Sequence, residues 1–185
     1  MMSLPLVSRI KSRLKRFRRN DKGATAVEFA LISIPFFGIL FAIAETGVAF
    51  IGAGILDRAV EKASRSIMVG SLQATPGNNG AKRALFHTNM CTLLDGYLDC
   101  NQLKYDVQAY NTFGDLMAPI PMANGGLDTS VLPRFNPGTA GQVVIVRVYY
   151  EMPVYVDFFG SGLANLTGNK RLLVGAAAFK NEPFN

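Results

Sequence analysis

The pattern of apolar and polar positions divides the chain into one long apolar segment and a region of mixed patterns. Residues 29–44 carry no charge, and another eleven uncharged residues follow Glu45, as far as Leu56. At about 1.5 Å per residue, such a helix can cross a hydrocarbon core of roughly 30 Å. We therefore predict one transmembrane helix, with Glu45 near an interface or against a partner. Pro35 cannot donate a helical hydrogen bond and should weaken or kink the helix locally.

After residue 54 the pattern becomes amphipathic. Ile55, Ala59, Ala63 and Ile67 recur at helical spacing, and charged residues occupy the opposite side of the same helix. The helix should therefore leave the membrane and continue as a stem that ends near residue 70.

A second helix is predicted after the turn-rich linker QATPGNNG. The segment 81–98 has helical periodicity and ends near a glycine. The positions that this periodicity turns toward a core are Ala84, Leu85, Thr88, Cys91 and Leu94.

Three later segments predict strands. Residues 102–110 alternate strictly, which indicates a half-buried strand, and 142–152 is rich in β-branched and aromatic residues, which indicates a central strand. Residues 171–180 predict a closing strand. The proline-containing stretch 111–141 predicts a long surface loop, available to a partner. The predicted fold class is α+β: a long N-terminal transmembrane and stem helix, then a small pilin-like domain with a helix packed on an antiparallel sheet.

The positive charge of the chain is concentrated before the apolar helix. Residues 1–23 hold eight Lys or Arg and one Asp, a net charge of +7, so the remainder of this +6 chain is close to neutral. Basic residues beside a first transmembrane segment stay in the cytoplasm, so the region after residue 50 should be exported. A neutral exported domain lacks the basic surface that nucleic-acid binding requires, and we expect no such partner.

A cleaved secretory signal peptide is the alternative for this N-terminus. Its apolar core would be about 7–15 residues long, whereas the apolar segment here is about twice that and continues into the stem. We therefore predict a basic cytoplasmic leader at 1–23, a transmembrane and stem helix at 24–70, and an exported α+β domain at 71–185.

The exported region contains the two cysteines of the chain, Cys91 and Cys100. Disulfides persist in exported domains, and a clip across this short loop would contribute roughly 2–3 kcal/mol. The alternative is a metal site that adds His87. Three soft ligands without an apparent fourth would make a weak zinc site in an oxidising compartment, so we expect no metal.

Motifs of catalysis are missing from the sequence. His87 is the single histidine and lies beside the predicted disulfide, no motif pairs two carboxylates, and no glycine-rich phosphate loop follows a strand. We expect no enzymatic activity, no cofactor and no small-molecule substrate.

The segment KGATAVEFALISIPFFGILFAIAETG, behind its basic leader, resembles the class III prepilin signal of TadE-like pseudopilins, which belong to the Flp or Tad pilus assembly system. The resemblance continues through RAVEKASR and returns in GQVVIVRVYYEMPV and FKNEPF, within the last 45 residues. In that family a prepilin peptidase cuts after a glycine at the cytoplasmic face, and glutamate is the fifth residue of the new chain. Gly23, Ala24 and Glu28 have this spacing, which implies cleavage between Gly23 and Ala24.

Glu28 and Glu45 are the two acidic residues of the apolar helix. After cleavage the Ala24 amine would be charged, and Glu28 could pair with it or with the amine of a neighbouring subunit. Alternatively, Glu28 only marks the end of the membrane span. For Glu45 two hypotheses stay open, a residue at the outer interface or a contact with a partner helix.

Small residues form a stripe on the same helix, beside Glu45. They would let a partner helix approach closely, although transmembrane helices are in general rich in such residues. The stripe consists of Gly38, Ala42, Ala49 and Ala53.

The resemblance also implies partners and a location. These partners are the prepilin peptidase, other pseudopilins, the major Flp pilin and an inner-membrane assembly platform powered by a secretion ATPase. The chain would be a single-pass protein of the inner membrane with a cytoplasmic N-terminus and a periplasmic domain, in contact with the lipid bilayer. It could also enter the pilus or its tip and serve adhesion. The alternatives are an uncleaved anchor with a periplasmic binding domain and a membrane-tethered enzyme.

Overall fold

The computed structural model describes residues 23–116, 119–156 and 162–184, so most of the predicted leader lies outside the described residues. The long N-terminal helix and the small domain after it confirm the predicted α+β class. The helices are α1 (Ala24–Met68) and α2 (Asn79–Leu94), and the strands are β1 (Lys104–Tyr110), β2 (Met122–Ala123), β3 (Gly126–Leu127), β4 (Arg134–Phe135), β5 (Val143–Pro153) and β6 (Lys170–Lys180).

Helix α1 is continuous over 45 residues and passes through Pro35 without ending. Its stem buries Ala59, Ala63 and Ile67, as the amphipathic pattern predicts. The helix ends where Gly70 adopts a φ of +80°, a left-handed conformation that favours glycine. The ring of Phe184 occupies the space that a side chain at position 70 would need, so the C-terminal segment closes over the end of the stem.

The main sheet has the strand order β4-β1-β5-β6. Strand β5 is central and pairs antiparallel with β1 on one side and with β6 on the other. This matches the predicted central and closing strands. The two-residue strand β4 is parallel to β1, so the sheet is mixed rather than purely antiparallel as predicted.

The stem packs against one face of this sheet, close to the edge strand β6. At Gly175 an added Cβ would lie 2.9 Å from Val60 Cγ2 and 3.1 Å from the Leu56 carbonyl oxygen, so the absence of a side chain permits this approach. Asp57 accepts a hydrogen bond of 3.2 Å from the Ala176 N–H on β6. The stem therefore supplies a polar partner to the edge strand as well as an apolar face.

The core of the domain lies between α1, α2 and the sheet. The face of α2 differs from the predicted one, because Phe86, Met90 and Leu94 are fully buried while Leu85 is 38% exposed and Cys91 is half-buried. Of the five positions predicted to face the core, only Leu94 is buried. Burying a phenylalanine removes far more apolar surface from water than burying the alanines and threonines of the competing stripe, so that face prevails.

The stretch 111–141 is more structured than a free surface loop. It contains β2, β3 and β4, and it packs Leu127 and Leu132 against the buried ring of Tyr149. This cluster covers the face of the sheet opposite the stem. Part of the stretch predicted to be available to a partner is thus a structural layer of the domain.

Beneath that layer lies a buried charge cluster around Asp106, which is fully buried. Arg134 and Arg147 are its register partners on the two flanking strands, and each guanidinium contacts its carboxylate, at 2.8 and 2.7 Å. Gln108 donates a hydrogen bond of 2.8 Å, and Tyr149 one of 3.3 Å. Burial raises the pKa of Tyr149 to about 12, so its hydroxyl keeps the proton that it donates.

Candidate functional site

The N-terminal half of α1 projects beyond the domain and exposes an apolar surface. Over the free segment (residues 24–44), eleven large apolar side chains are each 46–70% exposed. An 18-residue window of α1 has a mean hydropathy of 2.2, which makes it the one helix among the described residues that could span a membrane. The free segment would be about 31 Å long, close to the thickness of a hydrocarbon core.

Gly23, Ala24 and Glu28 lie at the start of the free segment. Gly23 is the residue before the first turn of α1, and among the described residues no group lies within 4 Å of the place where its side chain would be. Ala24 and Glu28 are both exposed and are separated by four positions, so they lie on the same face of the helix. The predicted processing and pairing residues are thus accessible and adjacent.

The stripe of small residues is divided between two environments. Gly38 and Ala42 belong to the free segment, whereas Ala49 is 2% exposed and Ala53 packs against the core of the domain. The outer half of the stripe therefore contacts the chain's own domain. In the inner half Gly38 is also buried and Ala42 is half-buried, so Ala42 is the position of the stripe that stays partly open to a helix of another protein.

Glu45 lies where the free segment meets the domain, and it binds backbone of the same chain. Its Oε1 accepts a hydrogen bond of 2.5 Å from the Tyr155 N–H, and its Oε2 accepts one of 2.8 Å from the Val156 N–H. A carboxylate that accepts two N–H groups is well compensated, since hydrogen bonds to charged groups are among the stronger ones. We name this arrangement the Glu45 clamp. Sequence reasoning found Glu45 but not its partners, which are 110 and 111 residues away.

Replacing Glu45 by glutamine should loosen the clamp. Glutamine has one carboxamide oxygen and no charge, so it cannot accept both N–H groups as strongly as a carboxylate does. We expect the amide protons of Tyr155 and Val156 to exchange with solvent about tenfold faster or more, because a charged hydrogen bond contributes roughly 1.5–3 kcal/mol. Hydrogen exchange of the full chain in detergent micelles measures this.

Glu61→Gln is the matched control for that measurement, because Glu61 is exposed on the stem of the same helix. It should leave exchange at residues 155 and 156 unchanged. Equal exchange rates in the wild type and in Glu45→Gln would show that the clamp does not hold this segment.

The predicted disulfide is present between Cys91 and Cys100, whose Cα atoms are 5.4 Å apart. His87 lies beside it, with Nε2 3.4 Å from Cys91 Sγ and Nδ1 2.7 Å from the hydroxyl oxygen of Tyr105. Burial raises the pKa of Tyr105. The alternation of β1 identified Tyr105 as a core residue, but it gave no sign of the contact with His87.

A cavity of about 430 Å³ opens beside His87 and Tyr105. Arg83 and Lys104 also line it, so its walls combine two cations with an imidazole and a phenol. These groups could receive a polar or anionic ligand. The sequence gave no indication of this cavity, because its walls come from α2, β1 and Pro133.

Comparison with known proteins identifies the N-terminal part of the chain. Residues 23–65 match the family model described as TadE-like protein. The match begins at Gly23 and follows α1 into the stem, and it does not include the last 45 residues, where the sequence also suggested a resemblance. No curated protein and no solved structure matches the chain.

Proposed function

We propose that this chain, whose residues 23–65 match the TadE-like family model, is a minor pilin-like subunit of the Tad pilus system and is processed by prepilin peptidase. The basic leader would stay in the cytoplasm, and the peptidase would cut between Gly23 and Ala24. The mature chain would then take part in pilus assembly through its apolar helix. The single observation that carries this proposal is the family match, which starts at the residue before the proposed cut.

The geometry of α1 supports this role. An apolar surface as large as that of the free segment is stable only in a bilayer or against other apolar helices. A pilin-like subunit needs both, since it waits in the inner membrane and then packs its helix into an assembly. Glu45 binds backbone of the domain at the end of the free segment, so the domain would lie directly on the periplasmic surface of the membrane.

The Glu45 clamp supports the same placement of the outer interface. It satisfies a carboxylate at the end of a span of suitable length, and it holds Tyr155, which is 85% exposed, next to that end. Tyrosine is enriched where a membrane meets water. Of the two hypotheses for Glu45, the clamp therefore favours the interfacial residue over the contact with a partner helix.

The proposed partners follow from the assembly route. They are the prepilin peptidase at Gly23, other pseudopilins and the major Flp pilin along the free segment, and the inner-membrane assembly platform. Of the predicted stripe of small residues, Ala42 is the position in the free segment that stays partly exposed to another helix. Adhesion would be a property of the assembled pilus.

Processing provides the direct test of this function. Intact mass of the protein purified from its own membranes should show a chain beginning at Ala24, and deletion of the peptidase should leave residues 1–23 in place. Gly23→Phe should also block the cut, because a bulky side chain hinders entry of the backbone into the peptidase cleft. No described residue lies near the side-chain position of Gly23, so this variant should leave the folded domain intact.

The outcome of that mass measurement separates the candidate functions. A wild-type chain that retains residues 1–23 in cells with active peptidase would contradict the proposal. It would favour an uncleaved anchor with a periplasmic binding domain, the reading that the cavity lined by Arg83 and Lys104 supports. Gly23→Ala serves as the control for Gly23→Phe, since it adds the smallest side chain at the same position.

A further inference from the structure

The end of α2 brings together the one histidine and the two cysteines of the sequence. The chain contains one histidine and two cysteines, and the ligand atoms of His87, Cys91 and Cys100 all lie within 4.8 Å of one another. Two of these atoms are close because they form the disulfide. In a tetrahedral zinc site, with Zn–S bonds of about 2.3 Å and Zn–N bonds of about 2.0 Å, neighbouring ligand atoms are roughly 3.5–3.8 Å apart. Once the S–S bond is opened, the two sulfurs would have to separate to about this distance to enclose an ion.

The imidazole of His87 lies between Tyr105 and Cys91. Its Nδ1 is 2.7 Å from the Tyr105 hydroxyl, while its Nε2 faces Cys91 Sγ at 3.4 Å. Metal-binding histidines typically donate one ring N–H to a fixed partner and present the other nitrogen to the ion. In the disulfide form Cys91 Sγ can only accept, so this contact needs a proton on Nε2. In the reduced form Nδ1–H can donate to Tyr105 instead, which leaves the lone pair of Nε2 directed toward the sulfur atoms.

We propose that the reduced form of this chain binds Zn²⁺ through His87 Nε2, Cys91 Sγ and Cys100 Sγ, with Tyr105 positioning the imidazole. The ion and the disulfide use the same two sulfurs, so each excludes the other. A water molecule would be the fourth ligand, which the sequence itself does not supply. The site would exist before the disulfide forms, or after a reductant opens it.

A reductant must open the disulfide before the ion can bind. A water-soluble trialkylphosphine breaks the S–S bond, phosphorus loses two electrons and takes the oxygen of one water molecule, and the two protons of that water pass to the sulfurs. Zn²⁺ then displaces both thiol protons to solvent and forms two S–Zn bonds and one N–Zn bond. In a cell, a dithiol could serve as the reductant, becoming a disulfide as the two cysteines gain hydrogen.

The experiment uses the full chain in detergent micelles, reduced with the phosphine and titrated with Zn²⁺ against a chromophoric chelator. The reduced wild type should bind about one Zn²⁺ per chain. The oxidised wild type and the reduced Cys91→Ser/Cys100→Ser variant should bind only background amounts. Co²⁺ in place of Zn²⁺ should give thiolate charge-transfer absorption, which these cysteines alone can produce because the chain has no others.

Two further variants test the histidine and its support. His87→Ala should weaken Zn²⁺ binding about tenfold or more, and Tyr105→Phe, which removes only the hydroxyl, should weaken it about tenfold because it frees the imidazole. Thr88→Ala is the control, since Thr88 is exposed on α2 and only bonds its own helix. Circular dichroism of each reduced variant checks that the domain remains folded.

Three results would overturn the proposal. The first is a reduced wild type that binds no more Zn²⁺ than the variant without cysteines. The second is an unchanged affinity in His87→Ala, which would remove the histidine from the site. The third is loss of the fold on reduction of the wild type that Zn²⁺ does not reverse.

Discussion

Replacing Asp106 by alanine is expected to destabilise the domain by about 3–5 kcal/mol, a large part of the stability of a typical small domain. The change leaves the guanidinium of Arg147, whose side chain is 8% exposed, without its carboxylate, and Arg134 loses a bidentate partner. A buried charge without a counterion costs far more than the loss of one hydrogen bond. Guanidinium unfolding of the full chain in micelles, followed by near-ultraviolet circular dichroism of the tyrosines, measures the difference.

Glu151→Ala is the matched control, because Glu151 forms an ion pair with Lys170 on the surface of the same sheet. Both partners are partly exposed, at 28% and 45%, and such pairs contribute at most about 1 kcal/mol. If Asp106→Ala costs no more than Glu151→Ala, the cluster does not hold the three strands together. Asp106→Asn keeps the shape of the side chain and should fall between the two.

Replacing Glu28 by glutamine is expected to leave processing intact and to reduce surface pili about tenfold or more. Cleavage would create an amine at Ala24, one helical turn from Glu28, and the two charges would compensate each other at the membrane edge or between neighbouring subunits. Glutamine cannot neutralise that amine, so each inserted subunit would keep an unpaired charge beside an apolar environment. This prediction rests on the proposed function, and it concerns the step after the cut.

The measurement combines the mass of the membrane-bound chain with counts of sheared pili by electron microscopy. Glu61→Gln is again suitable as a control, since it removes the same charge from an exposed position of the stem. A normal number of pili in Glu28→Gln would contradict the pairing role. A failure of cleavage in this variant would instead assign Glu28 to recognition by the peptidase.

Regular, one-sided patterns were the parts of the sequence that predicted the fold correctly. In the stem, small and branched residues at helical spacing alternate with charges, so only one face could be buried, and Ala59, Ala63 and Ile67 are buried. The strand β1 is similar, because Tyr105 and Val107 face the core as its alternation predicts. In both elements the hydrophobic effect has a single solution that is visible in the local sequence.

The sequence of helix α2 did not determine which of its faces would be buried. Its apolar residues fit two overlapping stripes, and placing Cys91 in the core selected the wrong one. The disulfide is half-buried at the end of the helix, while Phe86 and Met90 fill the space against the stem and the sheet. The choice between the stripes depends on which surface the rest of the domain offers, and this is not encoded within the helix.

Two features of the site depend on contacts between distant parts of the chain. Asp106 occupies a polar position of an alternating strand and would be exposed if the sheet had one covered face, but the stretch 111–141 covers the other face as well. Glu45 meets backbone N–H groups more than 100 residues away, and backbone groups leave no pattern in a sequence. Glu45 could therefore be singled out from the sequence, whereas its partners, like those of Asp106, required the fold.

The uninterrupted course of α1 and its close approach to β6 at Gly175 have a geometrical consequence. Each residue turns an α-helix by about 100°, and this helix has no break between its first residue and the contact with the sheet. The number of residues between Glu28 and Leu56 therefore sets the rotation of the domain about the helix axis as well as its distance from Glu28. Removing one residue from that interval would rotate the domain by about 100° relative to Glu28. The length of the helix thus determines which way the domain faces in any assembly.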